Sequence, residues 1–169
     1  MKKIFNLAVI FAALMTAVSF SSCTDEDGAT KLTEEQALES VDVQAGETYA
    51  FTNTSIANAD GTLGKSGFFK VISVEGTAGN KVVELKITTK KDDAAGETYK
   101  LGDSGENTSY LLWDGEKYIN AKQADAVANA AKVIFCLSSA SENYTITSGT
   151  VNNAVKGAGA TKTTFAKKQ

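Results

Sequence analysis

The chain of 169 residues contains no histidine, no arginine and no proline. Without histidine it lacks the commonest general base and the commonest ligand of transition metals. Without arginine it cannot clamp a carboxylate or a phosphate through two parallel hydrogen bonds. These two absences exclude histidine-based catalysis and arginine-based phosphate recognition, whereas the missing proline carries little functional information.

Cysteine is also scarce, and basic residues are in deficit. Only Cys23 and Cys136 are present, and 17 lysines stand against 20 acidic residues, a formal net charge of −3. A mildly acidic chain without a basic cluster is a poor partner for nucleic acid or anionic lipid headgroups. We therefore expect no nucleic-acid partner.

The N-terminus has the pattern of an export signal. Lys2 and Lys3 precede an apolar run over residues 4–20, and the small residues Ser21 and Ser22 follow it. The run is at the lower limit of what spans a bilayer, and no basic residue flanks its far end. A positive start, a short apolar core and a small-residue cleavage site are typical of a signal peptide.

Cys23 stands directly after these small residues, and Phe20-Ser21-Ser22-Cys23 resembles the lipobox of bacterial lipoproteins. Residues 25–27 are all acidic, and this stretch is similar to the surface-export signal of Bacteroidota-type lipoproteins. The chain thus resembles an outer-membrane or cell-surface lipoprotein of that type. Other interpretations of the N-terminal run stay open: a secretory signal that leaves Cys23 as a free thiol, or an apolar N-terminal helix of a cytosolic protein. The acidic stretch could also be only a solvated tether, and the lipoprotein could face inward from the outer membrane.

The resemblance implies cleavage before Cys23, a diacylglycerol on its sulfur, and outer-membrane anchoring with the protein facing the cell exterior. Two or three acyl chains anchor a protein stably, whereas one is marginal. Residues 1–22 would be the signal peptide, 23–31 the lipidated cysteine and tether, and 32–169 a single β-rich domain. The mature chain would have 15 lysines against 20 acidic residues. Cys136 would be its one remaining thiol, which excludes an intrachain disulfide.

The rest of the chain is dominated by period-two patterns of short strands. Residues 68–74 and 82–88 are the clearest, and in the second Val83, Leu85 and Ile87 alternate with polar residues, which indicates one buried face. Residues 133–137 are apolar throughout, which predicts a central strand covered on both faces. Further strands are expected at 48–54, 98–101, 110–113, 117–119, 144–148, 150–155 and 162–165.

Two segments favour helix. Residues 121–132 are Ala-rich with apolar residues at helical spacing and Asn120 as a possible N-cap, and residues 32–40 carry a capping-box pattern. The expected fold is therefore all-β or mostly β. We predict an antiparallel β-sandwich or open barrel of about eight short strands with one Ala-rich helix.

Few residues offer catalytic chemistry. Cys136 lies in the apolar segment 133–137 and has no histidine to activate it, so a buried structural cysteine is favoured. The pairs Asp103 with Glu106 and Asp114 with Glu116 could serve a glycoside hydrolase. Both pairs lie at turn sequences, where acidic residues are expected for backbone reasons. We therefore expect no catalytic residues.

We expect no metal and no cofactor. Calcium is the one metal ion that the composition favours, because it takes oxygen ligands and needs no histidine. Residues 25–28 and 58–61 are fragments of acidic loops, but neither continues to a distal glutamate at the required spacing. A tether and a turn are the better interpretations.

An aromatic group around a predicted hairpin is the best candidate for ligand binding. Tyr110, Trp113 and Tyr118 flank the turn sequence Asp114-Gly115, and Glu116 lies beside it. Exposed rings at a hairpin tip can stack on a sugar ring or a peptide, and a carboxylate can bind hydroxyl groups. The alternative is that Trp113 belongs to the hydrophobic core.

These observations favour a non-catalytic, lipid-anchored cell-envelope protein. It would bind a glycan, a peptide or an envelope protein at the cell surface, with the membrane as a partner through the lipid on Cys23. One alternative is a structural subunit of an envelope complex, which would present an apolar patch or an unprotected edge strand. A less favoured alternative is a carboxylate-based glycoside hydrolase.

Overall fold

The computed structural model describes residues 37–91, 93–104 and 109–168. The signal peptide, Cys23 and the tether lie outside these ranges. Within them the elements are β1 Ser40–Asp42, β2 Thr48–Ala57, β3 Leu63–Glu75, β4 Val82–Thr88, β5 Glu97–Gly102, β6 Tyr110–Trp113, β7 Tyr118–Ala121, α1 Gln123–Ala128, β8 Val133–Leu137, β9 Thr145–Thr147, α2 Asn153–Gly157 and β10 Thr164–Lys168. No helix in these ranges is long and apolar enough to cross a bilayer.

The strands form two antiparallel sheets of five strands each. Sheet I has the order β1-β9-β8-β6-β7, and sheet II has the order β10-β2-β3-β4-β5. The predicted mostly-β antiparallel class is confirmed as a sandwich, since the described strands form two separate sheets rather than a barrel. Ten strands are described where about eight were expected, and the three-residue strand β1 was not among the predicted strands.

Aromatic side chains from both sheets fill the space between them. Phe135 of sheet I lies 5.7 Å from Phe51 and 5.1 Å from Phe69 of sheet II, measured between ring centroids. Val83, Leu85 and Ile87 are buried in the same core, which confirms the buried face predicted for β4. Burial of such rings removes large apolar areas from water and is the main stabilising contribution of this layer.

The outer face of sheet I is covered by a thin helical layer. Ala126 of α1 and Val155 of α2 pack in one buried cluster with Val133 and Cys136 of β8. All five residues of β8 are buried. The prediction of a central strand covered on both faces is therefore confirmed.

The Ala-rich helix is shorter than predicted. It ends at Ala128, and Ala130–Lys132 form a 3-10 turn that leads into β8. Asn120 is a strand residue of β7 rather than the N-cap, and the capping position Lys122 makes no side-chain cap hydrogen bond. The helix begins later than predicted because Ala121 pairs in the sheet, and it ends earlier because Ala130–Lys132 form the 3-10 turn.

Two other segments differ from the prediction for local reasons. In the segment 150–155, predicted as a strand, the Asn152 side chain accepts hydrogen bonds from the backbone of Ala154 and Val155 and starts α2. N-capping outweighs the β propensity of the flanking Thr and Val. In the segment 32–40, the described end is extended because Leu38 exchanges two backbone hydrogen bonds with Phe165. Residues 32–36 lie outside the described residues.

A buried lysine joins three loops at one end of the sandwich. The Lys81 ammonium donates to the backbone carbonyls of Ser138, Ser141 and Asn143, at 2.8 Å for the first and 3.1 Å for the last. The carboxylate of Asp103 lies 3.6 Å away, and neither side chain is exposed to solvent. We call this group the Lys81 cage; it gives the positive charge three hydrogen-bond acceptors and one counter-charge, as a buried charge requires.

Candidate ligand-binding cleft

A cleft of about 250 Å³ opens where the β6–β7 hairpin of sheet I faces β3, β4 and β5 of sheet II. Its lining combines three buried side chains, two half-buried ones and an exposed rim. We call this cleft the aromatic cleft. Its buried lining residues are Ile87, Tyr99 and Trp113, and its half-buried ones are Lys65 and Tyr118. Its exposed rim consists of Thr89, Glu97, Glu116 and Lys117.

The β6–β7 hairpin places two of the rings. Trp113 and Tyr118 are the last paired residues before the turn, as the Asp114-Gly115 sequence predicted. The Asp114 carboxylate accepts backbone hydrogen bonds from Lys117 at 2.8 Å and Glu116 at 2.9 Å. These hydrogen bonds lower the pKa of Asp114 because they favour its charged form. The turn is thus ordered by Asp114, which leaves Glu116 and Lys117 exposed beside the cleft.

The aromatic wall of the cleft is a continuous contact of three rings. Tyr118 lies 4.7 Å from Trp113 and 6.0 Å edge-on from Tyr99, between centroids. Burial raises the pKa of both tyrosines, and the neighbouring Glu97 adds to the shift at Tyr99. Both phenols therefore stay neutral, and the hydroxyl proton of Tyr99 is donated to Glu97. Trp113 is only 8% exposed, so Tyr118 is the ring that presents more surface to the cleft.

Lys65 is the cation closest to these rings. Its ammonium lies 3.5 Å from the centroid of Trp113 and 5.4 Å from that of Tyr118, in a cation–π arrangement. Desolvation lowers the pKa of this half-buried lysine. Within the described ranges Lys65 makes no ion pair with a carboxylate. The indole Nε1 of Trp113 is also buried, and no group in the described part of the chain forms a hydrogen bond with it.

The rim carries both signs of charge. Glu97 accepts a hydrogen bond of 2.5 Å from the Tyr99 hydroxyl, and both Glu116 and Lys117 are exposed. With Lys65, the lining has two lysines and two glutamates. The carboxylates and the Thr89 hydroxyl can bind hydroxyl groups of a ligand, and the rings can cover its apolar face.

The structure brings together three of the four residues expected to bind ligand. Trp113, Glu116 and Tyr118 line the aromatic cleft, with Trp113 largely in the core as the alternative interpretation held. Tyr110 does not join them: it pairs with Cys136 and is buried under the helical layer, and burial raises its pKa to about 12. Tyr110 and Trp113 are three residues apart on one strand, so their side chains face opposite sides.

The sequence did not single out Lys65, Tyr99 or Glu97. Tyr99 follows the alternating pattern of β5 and could be assigned to the inner face from that pattern alone. Lys65 carries no such signal because it is one of many lysines, and its neighbours in the cleft lie on other strands. Only the packing of sheet I on sheet II places Lys65 over the Trp113 ring.

The other residues considered for chemistry have structural contacts. Cys136 is buried and hydrogen-bonded to Thr147 at 3.2 Å, and burial raises the pKa of its thiol to about 11. Asp103 belongs to the Lys81 cage and Asp114 orders its turn, whereas Glu106 lies outside the described residues. In the part of the chain that is described, no group of three potential metal ligands comes together.

A second cavity of about 250 Å³ lies next to β1, lined by Asp42, Val43, Gln44, Glu142, Asn143 and Tyr144. Its Asp42 carboxylate already accepts hydrogen bonds from Asn143 at 3.0 Å and Thr145 at 2.6 Å. Since that carboxylate is satisfied within the fold, the aromatic cleft is the better candidate for binding.

Comparisons of the chain with protein-family models, with curated proteins and with solved structures gave no match.

Proposed function

We propose that this protein is a non-catalytic, lipid-anchored cell-envelope protein that binds a glycan in the aromatic cleft. The observation that carries the proposal is the arrangement of Tyr118, Tyr99 and Trp113 as one wall of an open cleft with polar groups at its rim. Sugar rings have an apolar face and a hydroxyl-bearing edge, and this lining matches both.

The size of the cleft limits what it can hold. Drug-sized ligand pockets typically measure about 300–1,000 Å³, and the aromatic cleft at about 250 Å³ is smaller. We therefore expect it to take one terminal sugar ring rather than a long segment. Because Lys65 covers the Trp113 ring, the sugar would stack on Tyr118, with Trp113 supporting that ring from behind.

The proposed anchor rests on the N-terminal sequence, which lies outside the described residues. The lipobox-like residues 20–23 and the acidic residues 25–27 support lipid attachment at Cys23 and display on the cell exterior. Fractionation of cells that express Cys23→Ala tests lipid attachment at Cys23. The proposed attachment is wrong if the variant stays in the membrane fraction. Protease treatment of intact cells tests exposure on the cell exterior. That part of the proposal is wrong if the protease degrades the protein in lysed cells but not on intact cells.

Glycan-array binding by the full chain, purified in a mild detergent, tests the cleft. We expect Tyr118→Ala to abolish the signal, because it removes the stacking ring. Ile119→Ala is the matched control, since Ile119 neighbours Tyr118 on β7, is exposed and does not line the cleft.

Tyr118→Ala could also lose binding through misfolding, so Glu116→Ala is a second test variant. Glu116 is exposed at the rim, and its loss should weaken binding without changing the near-ultraviolet circular dichroism. If the native chain gives no binding signal with any glycan on the array, the glycan proposal is wrong. The structural-subunit alternative would then be favoured.

A further inference from the structure

We infer that the ligand of the aromatic cleft is a sugar carrying a single negative charge, and that this charge binds the ammonium of Lys65. The inference rests on the proposed glycan-binding function and adds the chemical class of the sugar. Its basis is the position of Lys65, a half-buried cation at the cleft wall whose neighbours are aromatic rings rather than carboxylates.

Lys65 differs from the other lysines whose ammonium groups have described partners. Four of them form ion pairs: Lys81 with Asp103, Lys100 with Glu84, Lys162 with Glu39 and Lys167 with Glu47. Lys86 donates instead to the backbone carbonyl of Ala94. In the described part of the chain, Lys65 has no such partner. Its ammonium lies over the Trp113 ring at 3.5 Å from the centroid and is farther from the Tyr118 ring, at 5.4 Å.

This arrangement leaves part of the charge uncompensated. Burial removes water from the ammonium, and the ring quadrupoles of Trp113 and Tyr118 replace only part of that hydration. An anionic group entering the cleft would supply a full counter-charge in a partly desolvated site, where ion pairs are stronger than at the surface. The ammonium is a compact point charge, so one anionic oxygen supplies its counter-charge and accepts a hydrogen bond from one of its three N–H groups.

The rim glutamates do not cancel this preference. Glu97 and Glu116 are exposed, so water and salt screen their charges strongly. Glu97 is also hydrogen-bonded to Tyr99, and the exposed Lys117 offsets one rim charge. Among the charged lining residues only Lys65 is half-buried, so its sign decides which ligand charge is favoured.

The single ammonium of Lys65 neutralises one negative charge, so we expect a ligand with a single charge. A carboxylate on the sugar ring and a sulfate ester each carry a single charge near neutral pH. A phosphate monoester carries about 1.5–2 charges at pH 7, which would leave an excess close to Glu97 and Glu116. The shared chemistry is therefore a singly charged acidic sugar, with the carboxylate and the sulfate ester as its two sources.

Matched probes on one glycan array test the inference. The full chain is applied to oligosaccharides that end in glucose, in glucuronate and in glucose 6-sulfate, within a broader set of neutral and acidic glycans. We expect the charged probes to bind and Lys65→Met to weaken them by roughly 10- to 100-fold, the range for loss of one charge-assisted hydrogen bond. Lys65→Arg should retain most of the binding because it keeps the charge.

Lys70→Met is the matched control, since Lys70 lies on the same strand, is exposed and does not line the cleft. Binding of glucuronate alone or of the sulfate alone would identify the source of the charge. Equal binding of glucose and both charged probes, unchanged in Lys65→Met, would overturn the inference and leave the glycan proposal standing. Silence across the entire array would overturn both.

Discussion

Replacing Lys81 with methionine should severely destabilise the fold. The substitution keeps an unbranched side chain of similar length and removes the ammonium at the centre of the Lys81 cage. Three backbone carbonyls in the segment 138–143 would lose a donor. The Asp103 carboxylate would keep its backbone hydrogen bonds from Gly79 and Lys81 but would lose its counter-charge.

The structure sets the size of this effect. A hydrogen bond to a charged group contributes roughly 1.5–3 kcal/mol, so three such bonds set an upper range of about 5–9 kcal/mol. The carbonyls will regain water, because Asn143 is exposed and Ser138 and Ser141 are only half-buried. Asp103 has a fully buried side chain and cannot do so. Removal of one partner from a buried ion pair costs about 3–5 kcal/mol, and we expect a value in that range.

Equilibrium unfolding in urea measures this loss, with fluorescence of Trp113 as the signal, since it is the single tryptophan of the chain and is buried. At about 2–4 °C per kcal/mol for a protein of this size, the melting temperature should fall by roughly 10 °C. Lys70→Met, which changes the same charge on an exposed strand position, should stay within about 0.5 kcal/mol of the native chain.

Asp103→Asn should fall between these two variants, because it keeps the shape of the side chain and removes only the counter-charge. A loss below about 1 kcal/mol in Lys81→Met would refute the argument that the cage holds these loops together, since that is the range of an ordinary surface ion pair.

Three further predictions concern the core. Burial raises the pKa of the Cys136 thiol to about 11, so a thiol-specific reagent at pH 8 should label Cys136 only after unfolding. Rapid labelling of the folded chain would contradict its burial. Burial also raises the pKa of Tyr110 to about 12, whereas a tyrosine in an unfolded chain ionises near pH 10. Above that pH the folded chain holds more protons than the unfolded chain, so the free energy of unfolding should decrease as pH rises from about 9 to 12. Absorbance at 295 nm and urea unfolding at several pH values would check this, and constant stability across the window would count against it. Finally, a Cβ at position 67 would lie 3.1 Å from the Phe51 ring and 3.0 Å from the Thr88 carbonyl oxygen, so Gly67→Ala should destabilise by about 1–3 kcal/mol through overpacking. Thermal unfolding beside Ser66→Ala, an exposed control on the same strand, would measure it, and equal melting temperatures would contradict the prediction.

The strand predictions are confirmed where side-chain alternation and turn chemistry agree. Strand β4 has the predicted bounds because its inner Val83, Leu85 and Ile87 alternate with polar residues. The β6–β7 hairpin follows from the Asp114-Gly115 turn, and the uniformly apolar β8 is central in sheet I. In each case the signal lies within a few consecutive residues.

The errors arise where local and non-local interactions compete. Residues 150–155 have β-branched side chains, yet the cap formed by Asn152 starts a helix there. Residues 38–40 carry the end of a helical pattern, yet Leu38 is held extended by its backbone pairing with Phe165. Tyr110 flanks the same hairpin as Trp113 and Tyr118, but strand alternation places its side chain on the opposite face of the sheet.

Short-range periodicity and turn geometry are enough to predict the β-rich class, the position of the main strands, the β6–β7 hairpin and the burial of Cys136. The sequence also supplies the whole basis for the proposed anchor at Cys23. The packing of the two sheets, in contrast, places Lys65 over Trp113, brings Tyr118 rather than Tyr110 to the cleft, and lets Lys81 bind the carbonyls of a distant loop. These contacts join residues on different strands and sheets, and no pattern within one segment of chain specifies which strands will face each other.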